Sequence, residues 1–250
     1  MKVIVNGCNG TMGQVLCNEI IDSKDLSIAA GIDRNPNKIS NSFKTYDNID
    51  EFNDNADVII DFSNPCYIDD LLSFATKKRI PIVIATTGFS DKDFKNIEKS
   101  SKDIPIFISS NMSLGVNVLL DMVKKASKVL GDSFDIEIIE KHHNQKVDSP
   151  SGTAYMIADN INNELNNSKE YVFGRVSKKD KRNNNEIGIH AIRAGNIVGE
   201  HNVIFAGKDE IIEIKHTANS KKIFAQGSIK AAHFLIKQNN GLYNMDDLLK

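Results

Sequence analysis

Five short, nearly all-apolar runs, residues 2–6, 26–32, 58–62, 80–85 and 104–108, punctuate the first 110 residues and are separated by helical spacing or turn chemistry. Runs of this kind suit parallel strands covered on both faces, because such strands bury both rows of side chains and show no polar alternation. Segments 12–21, 69–77 and 91–100 read as the intervening helices. The latter two carry Asp or Ser near the start and lysine near the end, in keeping with the helix dipole. The pattern predicts an α/β fold with an N-terminal Rossmann-like, doubly wound parallel sheet. At 250 residues and 40% hydrophobic content, the chain is long enough for that sheet and a second domain.

The pattern changes further on. An amphipathic helix spans 116–130, and residues 134–139 then alternate apolar and polar as a strand with one exposed face does. Three β-rich runs, 186–193, 199–206 and 209–217, follow with glycine-containing turns between them, and residues 159–168 close the one helix that lies before them. These predict a C-terminal α+β domain with a mixed or antiparallel sheet. The polar stretch 177–185 reads as a solvated loop.

Charge and composition exclude several classes. With 31 basic and 33 acidic residues, the net charge of -2 leaves no electrostatic footprint for nucleic acid or an anionic membrane. Any anionic ligand must then be held by local charge. No run of eighteen apolar residues occurs, and the apolar start is too short for a signal peptide, so a cytoplasmic protein without a membrane partner is expected. Cys8, Cys17 and Cys66 are an odd, scattered set suited to neither a disulfide framework nor a zinc site, and no metal is expected.

The first strand runs directly into Gly7-Cys-Asn-Gly-Thr-Met-Gly13. Gly7 lets the chain leave the strand tightly, Gly10 lets backbone N–H groups approach a pyrophosphate, and Gly13 permits close helix–strand packing. Asp33 ends the second apolar run, where a carboxylate can accept hydrogen bonds from ribose hydroxyls. Arg34 faces a 2′-phosphate or is a solvated charge, so NADH and NADPH both stay open. Cys8, Asn9, Thr11 and Met12 complete the turn. Ala85, Thr86 and Thr87, and Ser109, Ser110, Asn111 and Met112, follow later apolar runs, where open α/β sheets place their ligand crevice, and are further candidate cofactor contacts. Asp61-Phe-Ser-Asn-Pro65 either caps a helix or meets the cofactor.

A second signal is Glu140-Lys-His-His-Asn-Gln-Lys-Val-Asp-Ser-Pro-Ser-Gly-Thr-Ala154, which packs two imidazoles, two lysines and a Ser-Gly-Thr turn into one loop. It reads as an active site for a small anionic substrate. The alternatives are a merely polar loop or a metal site, but no Asp, Glu or Cys follows at zinc-like spacing and a neighbouring lysine repels cations. Lys141 reads as surface charge. His190, His201, His216 and His233 fall in strand or helix patterns and read as packed or surface residues.

The 140–154 block closely resembles the signature of the 4-hydroxy-tetrahydrodipicolinate reductase family, also called dihydrodipicolinate reductases. Supporting blocks are the glycine turn, Ala85-Thr-Thr-Gly-Phe89, Asn111-Met-Ser-Leu-Gly-Val-Asn117, Arg193-Ala-Gly-Asn-Ile-Val-Gly-Glu-His201, Gly227-Ser-Ile-Lys-Ala-Ala-His233 and Gly241-Leu-Tyr-Asn-Met245. The resemblance covers nearly the whole chain. It implies reduction of a cyclic imine dicarboxylate to tetrahydrodipicolinate by NADH or NADPH on the diaminopimelate route to lysine, and a homotetramer assembled through the C-terminal sheets. It also implies that the last thirty residues return to the nucleotide domain, giving residues 1–113 and 221–250 for the dinucleotide and 114–220 for substrate and oligomerisation.

Hydride reaching a ring carbon conjugated to an imine leaves negative charge that a nearby acid must neutralise. His142, with an unperturbed pKa of about 6.5, or Lys146 can serve, and the resemblance assigns both to proton donation. His143 and Lys146 would pair with substrate carboxylate, and the N–H groups of Gly152 and Thr153, at the start of a helix beginning near Ala154, would cradle it. Three positions depart from the family pattern: Thr11 where arginine is usual, Ala85 where glycine is usual, and Met112 where phenylalanine is common. Loss of the arginine predicts a weaker preference for NADPH. Domain closure about hinges near residues 111–116 and 220 is expected. The competing readings are a dehydrogenase for another small dicarboxylate and a dinucleotide-binding regulator without catalysis.

Overall fold

In a computed structural model that describes residues 1–131 and 133–250, each apolar run of the first 110 residues becomes a strand. In chain order the first elements are β1 (Lys2–Asn6), α1 (Thr11–Ile21), β2 (Ser27–Ile32), β3 (Thr45–Tyr46), β4 (Val58–Asp61), α2 (Ile68–Lys78), β5 (Ile82–Ile84), α3 (Asp91–Ser100) and β6 (Pro105–Ile108). Then come α4 (Leu114–Leu130), β7 (Asp135–His142), α5 (Gly152–Glu164), β8 (Glu170–Phe173), β9 (Glu186–Arg193), β10 (Gly199–Ala206) and β11 (Ile211–Ala218). The chain closes with α6 (Lys222–Leu235), β12 (Gly241–Tyr243) and α7 (Met245–Leu248). Two units result, Met1–Leu114 with Lys221–Lys250, and Gly115–Ser220.

The first unit is a seven-stranded sheet in the order β12-β6-β5-β4-β1-β2-β3, with every pairing parallel. Strand alternation sends Ile4, Ile59 and Ile82 to one face under α2 and α3, and Val3, Val5, Val58 and Ile60 to the other under α1 and α6. All of these strand residues are fully buried. Each such side chain contributes about 1.5–3 kcal/mol relative to an exposed one, which explains why the runs show no polar alternation. Chain order reverses between β1 and β4, opening a crevice beyond their carboxyl ends. Gly7 sits there with φ 78°, and a Cβ on it would lie 2.5 Å from the Phe62 carbonyl oxygen. A Cβ on Gly13 would land on the Gly7 carbonyl oxygen, so the helix reaches the turn only as glycine.

The second unit is a mixed five-stranded sheet in the order β11-β10-β7-β9-β8, with β7 parallel to β9 and antiparallel to β10. Ile136, Ile138, Ile187, Ile189, Val203 and Phe205 pack against Leu119, Val123, Ile157 and Ile161 of α4 and α5. The β7 row of inward residues continues past Ile138 through Glu140 to His142, both buried. Register then places His201 of β10 opposite Glu140 and beside His216 of β11.

Several expectations change. Helix α5 starts at Gly152, two residues before the expected start near Ala154, because the Ser151 side chain accepts the Ala154 N–H and caps it, and it ends at Glu164 rather than near 168. Strand β7 runs three residues beyond 139, into the histidine pair. The short strands β3, β8 and β12 carried no sequence signal of their own. Within the stretch 177–185, Arg182 is docked rather than solvated: its guanidinium donates to Asp135 at 2.7 Å and Glu137 at 3.0 Å.

Substituting Gly13→Ala forces backbone apart and is expected to destabilise the first unit by about 1–3 kcal/mol, read as a lower urea midpoint. A second expectation concerns acid. Burial, followed by the neighbouring His142 charge, pushes His201 down to about 4, and the side chain is only 5% exposed. Because its folded pKa lies below its unfolded value, its contribution is complete above about pH 6.5 and is lost as pH falls towards 4, by roughly 3 kcal/mol. Urea unfolding between pH 7 and 4.5 should therefore depend less steeply on pH in His201→Gln than in the native chain.

Candidate active site

The crevice beyond β1 and β4 contains a cavity of about 880 Å³ lined by Asn6, Gly7, Gly10, Asp33, Arg34, Ser63 and Tyr67, among others. Helix α1 begins here at Gly10 without a side-chain cap, so its first-turn N–H groups point towards any bound anion. Asp33 stands at the end of β2 and accepts the Asn9 N–H and the Asn35 N–H, each at 3.0 Å. It thereby braces the glycine turn while facing the cavity. The Arg34 guanidinium lies 5.0 Å over the Tyr67 ring. Asp47, Asp50 and Glu51 also line this space, which makes its wall mainly acidic. The glycine approach, the uncapped helix and the carboxylate beside them fit a dinucleotide.

Other predicted contacts fall into distinct settings. The Cys8 side chain is fully buried in the core, which leaves only its backbone to the turn. Asn9 is buried too, and its amide holds the Asn35 carbonyl at 2.7 Å and Asn41 at 2.9 Å. Thr11 is exposed, Met12 and Ala85 half-buried, and Thr87 exposed. Thr86 is buried and accepts the Ser63 N–H at 2.9 Å. The Ser109 hydroxyl donates to the Asn111 carbonyl at 2.9 Å, Ser110 is exposed, and Met112 is buried against the first-unit core. Asp61 does not cap the next helical turn; Asn64 does, accepting the Cys66 N–H. Asp61 instead accepts from Asn6 at 2.8 Å and the Ser63 hydroxyl at 2.6 Å, tying β1 to β4 beneath the turn. Burial pushes its carboxyl up.

In the second unit, β7 delivers His142 and the following loop carries His143 and Lys146. His142 is 9% exposed, and its Nδ1 lies 2.6 Å from Glu140 Oε2. Burial pushes its pKa below the usual 6.5, and Glu140 offsets this only in part. The ring also meets His201 edge-on, with centroids 5.3 Å apart. His143 is half-buried. Lys146 pairs with Asp148 at 2.8 Å, and that hydrogen bond holds the Asp148 carboxyl below its usual range. Gly152 is exposed and Thr153 half-buried at the first turn of α5, where the dipole is positive. The loop therefore combines a recessed imidazole, a cation and a helix N-terminus, a set able to hold a carboxylate and supply a proton. Lys141 is not a free surface charge: it pairs with Glu200, which Lys215 also meets at 3.0 Å.

The residues that build this site from below were not singled out from sequence. Glu140 is fully buried and accepts both Arg193 Nη groups, at 2.8 and 2.7 Å, and the Ser151 N–H at 2.9 Å. Burial pushes the Glu140 carboxyl up, but hydrogen bonds from Arg193, His142 and Ser151 outweigh it and hold the group below its usual range. Ser151 also meets His201 Nε2 at 3.0 Å. The available signal was the inward parity of β7 at Glu140, together with Arg193 and His201 at the two ends of one motif, on the strands that flank β7. Of the other histidines, His190 pairs with Glu137 at 2.7 Å and His233 lies 3.5 Å from Asp25. Among the described residues no group of three or more metal-ligating side chains occurs.

Comparison with known proteins places this geometry. The chain matches the family description "Dihydrodipicolinate reductase, N-terminus" over residues 1–112 and "Dihydrodipicolinate reductase, C-terminus" over 115–249. A 4-hydroxy-tetrahydrodipicolinate reductase of Caldanaerobacter subterraneus subsp. tengcongensis is 52% identical over 250 residues, covering 100% of this chain and 98% of the relative. One from Clostridium tetani is 49% identical, covering 100% and 97%. Among solved structures, a dipicolinate-bound dihydrodipicolinate reductase from Paenisporosarcina sp. TG-14 shares the fold with a TM-score of 0.83 at 21% identity, covering 98% of this chain and 97% of that one. The chain belongs to the 4-hydroxy-tetrahydrodipicolinate reductase family, oxidoreductases of the diaminopimelate route to lysine.

Proposed function

We propose that this chain reduces 4-hydroxy-tetrahydrodipicolinate to tetrahydrodipicolinate with NADH or NADPH, using His142 as the proton donor and the 143–153 loop as the anion cradle. The observation that carries the reading is a recessed imidazole, held at one nitrogen by a buried carboxylate, beside a lysine and a helix N-terminus. A reduced nicotinamide, when bound at the glycine turn, supplies the hydride. Gly7, Cys8, Asn9, Gly10, Thr11 and Met12 present backbone to its pyrophosphate, and Asp33 takes ribose hydroxyls. Arg34, Ala85, Thr86, Thr87, Ser109, Ser110, Asn111 and Met112 are assigned to the remainder of the dinucleotide.

Lys146 and His143 meet the substrate carboxylate, with the Gly152 and Thr153 N–H groups completing the cradle. Since Asp148 pairs with Lys146, a substrate carboxylate that binds this lysine exchanges with an internal one. His142 then gives its proton to the electron-rich carbon left by hydride addition, and Lys146 assists by stabilising the charge. Residues 1–113 and 221–250 are assigned to the cofactor and 114–220 to substrate and assembly; the two compact units, Met1–Leu114 with Lys221–Lys250 and Gly115–Ser220, support this division. A cytoplasmic homotetramer formed through the second sheet is part of the proposal. Its face turned away from α4 and α5 carries Ile192 and Ile211, 42% and 64% exposed, and among the described residues no helix is long and apolar enough to cross a membrane.

Freshly generated substrate should drive loss of reduced-nicotinamide absorbance, and His142→Ala should lower kcat roughly 10²- to 10⁴-fold. Lys146→Ala should raise KM as well. In the native chain kcat/KM should fall as pH rises from the acid side of 6.5, because His142 titrates below its ordinary value and must be protonated to donate. Nucleotide binding without turnover would sink this reading and favour a regulator. For the cofactor, the acidic cavity wall and Thr11 predict that NADH is used at least as well as NADPH. A strong NADPH preference in kcat/KM would overturn that.

A further inference from the structure

We infer that Glu140, backed by Arg193, is a positioning residue that confines the exchangeable proton of His142 to Nε2. The inference rests on the reading of His142 as proton donor. Glu140 has four hydrogen-bonding contacts on its two oxygens: Oε2 takes His142 Nδ1 at 2.6 Å and Arg193 Nη1 at 2.8 Å, and Oε1 takes Arg193 Nη2 at 2.7 Å and the Ser151 N–H at 2.9 Å. An ionised carboxylate offers about four lone-pair sites and only accepts, so it is saturated and cannot give a proton to the ring. Nδ1 must therefore carry hydrogen in both the neutral and the charged imidazole.

Proton transfer consequently breaks the Nε2–H bond alone. Loss of the 4-hydroxyl as water, with a hydrogen from the neighbouring ring carbon, leaves a C=C bond conjugated to the imine. The hydride that a bound nicotinamide would supply then forms one C–H bond as that π bond opens, leaving its electron pair on the adjacent conjugated atoms. The Nε2 proton forms the second bond, and His142 ends neutral with Nδ1–H still on Glu140. Arg193 binds Glu140 through both Nη groups and also donates to the Asp148 carbonyl at 2.6 Å. One guanidinium thus holds the carboxylate on β7 and the substrate loop together. The charged or titratable groups facing His142 are Glu140 from its own strand, Arg193 from β9, His201 from β10 and Lys146 from the loop. Among them only Glu140 stabilises the imidazolium.

Two measurements test this. In the native protein, ¹⁵N shifts of the imidazoles, with His142 assigned by its disappearance in His142→Gln, should show neutral His142 protonated at Nδ1 and bare at Nε2. The opposite tautomer overturns the inference, and this result needs no variant at Glu140 to fold. In Glu140→Gln, kcat should fall roughly 10²-fold or more with substrate KM within about threefold, and the descending limb of kcat/KM should move to lower pH. Unchanged kcat and pH limb alongside an inactive His142→Ala overturn the positioning role alone. Undiminished turnover of His142→Ala overturns the donor assignment and the positioning role with it.

Discussion

The second unit depends on a carboxylate that sees no water. Glu140 ties β7 to β9 through Arg193, to the cap of α5 through the Ser151 N–H, and to His142 on its own strand. Desolvating a charge costs several kcal/mol, and removing one partner of such a pair typically costs about 3–5 kcal/mol because the other is stranded. An apolar residue at this position would bury well, yet would leave the guanidinium, the imidazole and the cap amide without their acceptor. The cost is concentrated where the loop must be held, and the fold of the rest of that unit is left to ordinary isoleucine and valine packing.

The nucleotide half is organised by the opposite means. At the carboxyl ends of β1 and β4 the fold removes side chains rather than burying charge: Gly7 turns with φ 78°, and Gly13 lets α1 close on the Gly7 carbonyl. Backbone dipoles do the work there, so the site tolerates acidic walls that would repel a free anion. Asp33 and Asp61 act largely as internal braces. One accepts the Asn9 and Asn35 amides, and the other joins Asn6 to Ser63. A residue singled out for ligand contact can thus carry much of the scaffold, because the groups nearest a turn are also those able to satisfy its N–H groups.

Parallel strands were legible because full burial on two faces leaves a continuous apolar signature, and β1, β2, β4, β5 and β6 all carry it. The histidine loop was legible because its chemistry is local in sequence. Its support was not, since Glu140 meets Arg193 across 53 residues and Ser151 meets His201 across 50. Register and parity decide such contacts, and neither is visible until β7, β9 and β10 are paired. The start of α5 was legible to within two residues, because the Ser-Gly-Thr turn that caps it lies inside the same motif. Short strands such as β3 and β8 are too brief for periodicity to register.

The Lys146–Asp148 pair shows how the two kinds of order meet in one loop. Asp148 is largely exposed, with its side chain 58% accessible, while Lys146 is 22% accessible, so the pair is screened and weak compared with the buried Glu140 cluster. An incoming anion can displace a screened partner at little cost, whereas Glu140 is fully buried. The backbone of Asp148 is nevertheless fixed, because Arg193 donates to its carbonyl at 2.6 Å. The loop therefore keeps its path while its exposed carboxylate is free to yield. Rigidity sits at the buried charge, six residues before Lys146, and exchange at the surface charge, two residues after it.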